Sequence, residues 1–327
     1  MKNWLEYLYM LSLTFTLKGV LNNTMKKHIV TLIASVTLAS SATLAHAEEV
    51  KIGAAGADGE YTKTLVPALS KALQKYGYTA TAEISAGSQE NIDNVWSGKL
   101  PAGLSQLDVA ALNMVGKKPS SAKGHLILMG KFAPEALFCA AKKGGKVASY
   151  DDLTDPHKPG LKVSVGKEGS GTARTFEYLM TLDADLSRVE LMKEGNPEIQ
   201  LNRLLSGGRD LVCFVMMPDL DNELIQTVVK HKKLVYININ KPVFTNAEVG
   251  GIRVYGLMEV PVSKGFFGWR AKKVKTLVTW VGVAVNDEST DEKLLSALAK
   301  VALKGNILPR NSLAAKAASL YEKFKVR

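Results

Sequence analysis

Two hydrophobic periods take turns along this chain. VKIGAAG, from Val50, reads as a short strand running into a glycine turn. From about Thr62 to Tyr76 the apolar residues Leu65, Val66, Leu69, Ala72, Leu73 and Tyr76 recur at helical spacing; Pro67 is tolerated in the first turn and Gly77 stops the helix. TATAEIS is a strand. SAGSQENIDNVWSGKL is a helix with Ser88 as its N-cap and Ile92, Val95 and Trp96 on its apolar face. AGLSQ is a strand and LDVAALNMV a helix. HLILMGKF and EALFCAAKK read as two strands, and SYDDL as a short capped turn. LKVSVGKEGSGTARTFEYLMTL repeats the opening plan of strand, glycine loop and helix. VELMK (strand), PEIQLNRLLS (helix, Pro197 at its start), LVCFVM (strand), DLDNELIQTVVK (helix) and KLVYINI (strand) follow. KTLVTWVGVAV is a long apolar strand, and DEKLLSALAKVAL and SLAAKAASLYEKF are helices. This alternation predicts an α/β chain with parallel sheets.

The N-terminus changes the count of residues available to that fold. Met25-Lys26-Lys27-His28, the small and apolar run after it, and Ala45-His46-Ala47 have the three regions of a secretory signal peptide, predicting export and cleavage after about Ala47. The run is short for a bilayer crossing and diluted by Ser and Thr. Residues 1–24 precede a good start at Met25 and read as an over-extended frame. Without residues 1–47 the chain keeps 38 basic and 30 acidic residues, a net +8. That field favours anionic ligands without implying nucleic acid, for which there is no aromatic-basic stripe. The remaining length, about 280 residues, exceeds one comfortable core, so two lobes are expected. The two strand–glycine loop–helix units, at Val50 and Leu161, suggest one in each. The two cysteines, Cys139 and Cys213, make neither a disulfide scaffold nor a cysteine-rich metal site. They read either as buried small hydrophobes or, in an oxidising compartment, as one disulfide.

Four loops place small or polar residues between a strand end and a helix start: Gly53–Tyr61, Ser85–Asn91, Ser105–Asp108 and Gly166–Thr175. Ligands of open α/β sheets bind beyond the carboxyl ends of the strands, and helix N-termini hold carboxylates or phosphates on unpaired N–H groups. The first loop, Gly53-x-x-Gly56-x-x-Gly59, has the wrong first interval for a dinucleotide fingerprint, and none of the loops is a nucleotide triphosphate loop. His125, His157 and His231 read as solvated polar residues. There is no H-E-x-x-H and no G-x-S-x-G, so neither a metal, a cofactor nor a catalytic residue is expected.

Read together, KIGAAGADGEYTKTLVPALSKAL, EISAGSQENIDNVWSGKLPAGLSQLDVA, SYDDL with VSVGKEGSGTARTFEYL nine residues on, and DLVCFVMMP from Asp210 to Pro218 resemble the TAXI-type solute-binding proteins of TRAP transporters. The resemblance covers most of the chain after residue 47 and weakens between about Val243 and Lys275. It implies a two-lobe type II periplasmic-binding fold with a mixed, mainly parallel sheet in each lobe: residues 48–134 and 276–327 form one, residues 135–275 the other. It implies a periplasmic, monomeric receptor that closes on a small carboxylate (a glutamate-like amino acid, dicarboxylate or oxo acid) and delivers it to a TRAP permease. A stand-alone sensor or immunogenic surface protein would need the same cleft. The implied ligand-binding positions are Gly56, Gly59, Tyr61, Ser88, Asn91, Gln106, Asp108, Ser170, Gly171, Thr172 and the strand end at Met216. Asp58 and Glu60 make the first loop more acidic than the family's, and Met216 is Met-rich territory where small or aromatic residues are common. Arg174 reads as a carboxylate clamp or as part of an exposed helix face.

Overall fold

The computed structural model describes residues 47–115, 123–249, 251–264, 271–305 and 307–326. The leader expected over residues 1–47 lies, all but Ala47, outside the described residues. Strand β1 (Glu48–Gly53) leads through a wide π-type turn, Tyr61–Leu65, into α1 (Val66–Leu73). Gly77, at φ 84°, reverses the chain into β2 (Tyr78–Glu83). Then come α2 (Ser88–Trp96), β3 (Ala102–Gln106), α3 (Leu107–Val115) and the long β4 (Leu126–Lys142). The second stretch contains α4 (Asp151–Thr154), β5 (Lys162–Ser164), α5 (Gly171–Leu182), β6 (Glu190–Met192), α6 (Pro197–Leu205), β7 (Leu211–Met216), α7 (Glu223–Lys230) and β8 (Leu234–Tyr236). After α8 (Pro242–Thr245), β9 (Glu248–Val249), β10 (Ile252–Arg253) and β11 (Gly256–Pro261), the long β12 (Lys273–Asn286) returns, followed by α9 (Glu292–Lys304) and α10 (Leu313–Phe324). Side-chain caps start several helices: Ser170 Oγ accepts from Ala173 N–H, Asn196 from Ile199 and Asn222 from Leu224 and Ile225.

One sheet runs through the molecule in the order β2-β1-β3-β12-β4-β7-β5-β6, with β11 added to β12 and β8 to β4. Every antiparallel pairing in it involves β4 or β12; the β2-β1-β3 and β6-β5-β7 trios are parallel. The chain thus builds one unit twice. Each is a parallel trio with its first strand in the middle and an antiparallel long strand beside its third. The two glycine-loop strands noted in the sequence, β1 and β5, hold the equivalent middle positions. This is the α/β fold of type II periplasmic-binding proteins, as expected. Where a mixed, mainly parallel sheet in each lobe was expected, one continuous mixed sheet is found, with four parallel and five antiparallel pairings, because the long β4 and β12 run antiparallel to their neighbours. Residues Glu48–Arg327 form one compact unit.

The two strands expected around Gly130 and Pro134 are one. A proline inside a run argues for a break because it removes a ladder donor. Here β7 joins β4 only from Ala136 onward, so Pro134 interrupts no pairing on that side.

Four hydrophobic clusters pack on this sheet, the smallest of them around Ile92, Val95, Leu126 and Ala284, and the other three carry most of the core. The first contains Ile52, Leu69, Leu104, Ala133, Val281 and Leu298. The second contains Leu137, Cys139, Val163, Phe176, Cys213 and Leu277. The third, with Ala136, Phe138, Phe214 and Val278, takes the alternate residues of the same strands and so lies on the opposite face of the sheet. Burying each large apolar side chain contributes about 1.5–3 kcal/mol. Cys139 and Cys213 stand opposite each other on β4 and β7 and form a disulfide, which resolves the alternative left open by the sequence.

Candidate functional site

Along β4 the side chains on one face run Ala133, Glu135, Leu137; along β12 they run Val281, Thr279, Leu277. Ala133 and Val281 belong to the first cluster, Leu137 and Leu277 to the second. Glu135 and Thr279 are directly paired in register between them. The seam between two apolar cores is therefore polar, on the two strands that both cores share.

Other elements bring polar groups to this seam. The Tyr61 hydroxyl, at the start of the π-type turn, donates to Glu135 Oε2 at 3.3 Å. Gln106 ends β3, and register pairing with Val281 puts it on the same face. Its amide favours the charged form of Glu135 without completing a hydrogen bond, because Nε2 is buried and unpartnered within the chain, as is Thr279 Oγ1. Asp108, in the first turn of α3, accepts from Thr175 Oγ1 (2.6 Å), Tyr255 hydroxyl (2.9 Å) and Val109 N–H (2.9 Å). It ties α3 to α5 and to the residue before β11.

Burial governs the charges. Desolvation, reinforced by the charge of Asp108, pushes the Glu135 carboxyl up to about 8; the hydroxyl of Tyr61 and the amide of Gln106 pull the other way. Burial also raises Asp108, against its hydroxyl and backbone donors. The Tyr61 hydroxyl is held well above its ordinary range by burial and then by Glu135, and that of Tyr255 by burial and then by Asp108.

Several of the expected site residues meet here. Tyr61, Gln106 and Asp108 lie in the seam, and Gly171 packs against Gln106. Thr172 is in the same turn of α5, but its Oγ1 accepts from Val215 N–H (2.9 Å), holding α5 to β7. Ser170 is the cap of α5. Ser88 does not cap α2: that position falls to Gly87 (φ 127°), while Ser88 Oγ accepts from Gln106 N–H at 3.2 Å and fixes the end of β3. Asn91 is fully buried, and its Nδ2 donates to the carbonyls of Ala54 (2.6 Å) and Leu104 (2.8 Å), so its nitrogen is committed to backbone. Gly59 closes a turn onto Gly56 and receives the N–H groups of Thr62 and Lys63; Gly56 is exposed at the tip. Met216 packs against the third cluster, on the other face of the sheet from Glu135. Asp58 pairs with exposed Lys63 (2.7 Å). Glu60 keeps a buried Oε1 without a partner. Arg174, only partly exposed, pairs with Glu177 one turn along α5 (2.5 Å) and keeps a buried Nε without a partner.

Sequence reasoning missed Glu135, Thr279 and Tyr255. The signal for the first was available: EALFCAA is an apolar strand opened by a single acid, and a lone charge in a buried run needs a reason. Among the described residues no group of three or more His, Cys, Asp or Glu is arranged to hold a metal, and no helix is long and apolar enough to cross a membrane.

The repeated trio-and-long-strand sheet leaves unpartnered polar atoms, Gln106 Nε2 and Thr279 Oγ1, at the seam of its two cores. The family model described as NMT1-like family matches residues 52–318, and the chain belongs to that family. Solved structures similar to it include XAC2383 from Xanthomonas citri bound to ATP (12% identity, 85% of this chain and 89% of that one, TM-score 0.49). The amino acid ABC transporter substrate-binding protein AbpA from Streptococcus pneumoniae, bound to L-arginine, is 15% identical over 84% of this chain and 93% of that one, with a TM-score of 0.43. The GluR0 ligand-binding core from Nostoc punctiforme, in complex with L-glutamate, is 12% identical over 84% and 98%, with a TM-score of 0.44.

Proposed function

We propose that this chain is a periplasmic substrate-binding protein of the TAXI type, which captures a small carboxylate and delivers it to a TRAP-type permease. The observation that carries the reading is the seam itself. Buried polar atoms without partners, at Gln106 and Thr279, are costly unless a ligand satisfies them. The start of α5 closes over them, where the first N–H groups precede any intrahelical bond and attract a carboxylate. Residues 48–134 with 276–327, and residues 135–275, are the two lobes, and β4 and β12 are the spans about which they turn. Glu135 then sits at the crossing point. The protein is monomeric, exported with cleavage after about Ala47, and not an enzyme.

A thermal-shift screen against amino acids, dicarboxylates and oxo acids tests the ligand claim, since a ligand that binds only the folded state raises Tm by mass action. A panel without a single hit overturns it. Uptake by membranes carrying a TRAP permease, with and without the purified protein, tests the transport partner. Uptake independent of the protein overturns that part alone.

A further inference from the structure

We infer that a cavity beside β12, around Trp280 and on the opposite face of that strand from the seam, is a second binding site that takes a small aromatic carboxylate. It stands independently of the solute-binding reading above.

Two irregularities in the long strands open this cavity. Along one edge of β12, β11 pairs as far as Val278 and β3 begins at Val281, so Thr279 and Trp280 lie at the step between the two partners. Thr279 faces the seam. Trp280 faces the other way, on the side that Val278 gives to the third cluster. Along the other edge, a two-residue step on β12, Val281 to Val283, meets a four-residue step on β4, Ala133 back to Met129. The extra residues bulge around Gly130 (φ 79°), and a bulge re-aims the side chains it carries. Lys131 lies in this bulge and lines the cavity.

The cavity holds about 310 Å³, and its walls include Lys131, Arg253, Tyr255, Trp280, Tyr321 and Lys325 but no acid. Trp280 and Tyr321 meet edge to face, with ring centroids 5.0 Å apart. Gly256 lets Tyr321 close in: a Cβ at position 256 would lie 2.4 Å from its hydroxyl. Burial raises that hydroxyl, while Lys325 and Arg253 act to lower it, so both cations reach the same end of the ring. Glu248 stands 4.0 Å from Arg253 Nε and Glu322 2.5 Å from Lys325 Nζ; both acids are more than half exposed and neither lines the cavity. Among the described residues no acid pairs with Lys131. A carboxylate placed here accepts from guanidinium and ammonium groups, and the aromatic walls receive the face or edge of a flat ring. The volume is at the low end for ligand pockets, room for one small ring system and its acid group. An aliphatic anion would satisfy the cations and leave Trp280 and Tyr321 unused; an amine would meet like charge.

Isothermal titration with benzoate and indole-3-acetate tests the site. Benzamide keeps the ring and loses the charge; acetate and inorganic phosphate keep charge and lose the ring. The expected result is saturable binding of the two aromatic acids, with each control at least about tenfold weaker. Lys131→Gln with Arg253→Gln, both at exposed positions, should leave Tm close to wild type and weaken the aromatic acids by roughly ten- to hundredfold. Glu135→Gln, in the seam, should leave their binding unchanged. Failure of both aromatic acids to bind at up to about 10 mM overturns the inference. So does a control that binds as tightly as benzoate. Aromatic-acid binding that survives the double variant overturns it too, and a fall with Glu135→Gln instead would put those acids in the seam.

Discussion

Gly171 is set so close to Gln106 that a Cβ at position 171 would lie 1.9 Å from Gln106 Oε1. The start of α5 therefore closes onto β3 only because residue 171 has no side chain. Gln106 is nearly fully buried and has little room to swing away. Gly171→Ala should hold the two elements apart in the ligand-bound state. It should also cost some stability, because the clash with buried Gln106 is already present in the protein without ligand, offset in part because alanine suits a first helical turn better than glycine. The expected outcome is a loss of roughly ten- to hundredfold in ligand affinity by calorimetry, with a Tm loss of a few degrees. A large Tm loss with unchanged affinity would place the contact outside the ligand site.

Glu135 makes the free protein sensitive to pH. Its carboxyl is raised from 4.5 to about 8 in the folded state. Between those values the folded chain holds a proton that the unfolded chain has released, so this group makes stability fall as pH rises through that window. The size is of the order of a few kcal/mol. Glu135→Gln should remove this slope. Chemical denaturation across about pH 5 to 9 should show the variant gaining on wild type as pH rises and little difference at the acid end. Parallel curves would mean that Glu135 ionises normally.

Asn91 serves the fold first. Its side chain bridges the ends of β1 and β3, and Cβ atoms at Gly53 and Gly103 would meet it at 2.5 and 2.8 Å. Two glycines thus make room for one asparagine, which satisfies two buried carbonyls. Asn91→Ala should cost about 2–4 kcal/mol in urea unfolding, since it strands both carbonyls and leaves a void. Gly103→Ala should destabilise through the same contact. A loss confined to ligand affinity would restore Asn91 to the ligand shell.

Much of this architecture was legible because it is local. Periodicity marks α1, α2 and α5, and the glycine loops mark the middle strands β1 and β5. What was missed depends on distant partners. Glu135 opens an apolar run and looks like a strand edge until β12 sets Thr279 opposite it. Tyr255 becomes a partner of Asp108 only when residues 147 apart in sequence come together. Ser88 has the sequence of a cap, yet tertiary contact gives its hydroxyl to Gln106. The fusion of two expected strands into β4 depends on where β7 begins, which Pro134 alone does not reveal.

The Cys139–Cys213 disulfide joins strands that are already hydrogen-bonded neighbours, so its effect should fall on the unfolded chain. The six-residue ladder Ala136–Ala141 with Leu211–Met216 holds β4 to β7 in the folded state regardless of the bond. Unfolded, the bond closes a loop across a sequence separation of 74 that includes β5, β6 and α5. Closing such a loop restricts the denatured ensemble and stabilises the fold by about 2–4 kcal/mol. Cys139→Ala with Cys213→Ala should therefore lower the denaturation midpoint and steepen the denaturant dependence, since the freed chain exposes more surface. Ligand affinity should stay close to wild type, because both sulfurs lie in the second cluster and not at the seam. Reductant should shift the wild-type curve toward that of the double variant and leave the variant unmoved. A wild-type curve indifferent to reductant, with both thiols then shown to be alkylated, would mean that the bond contributes nothing to stability.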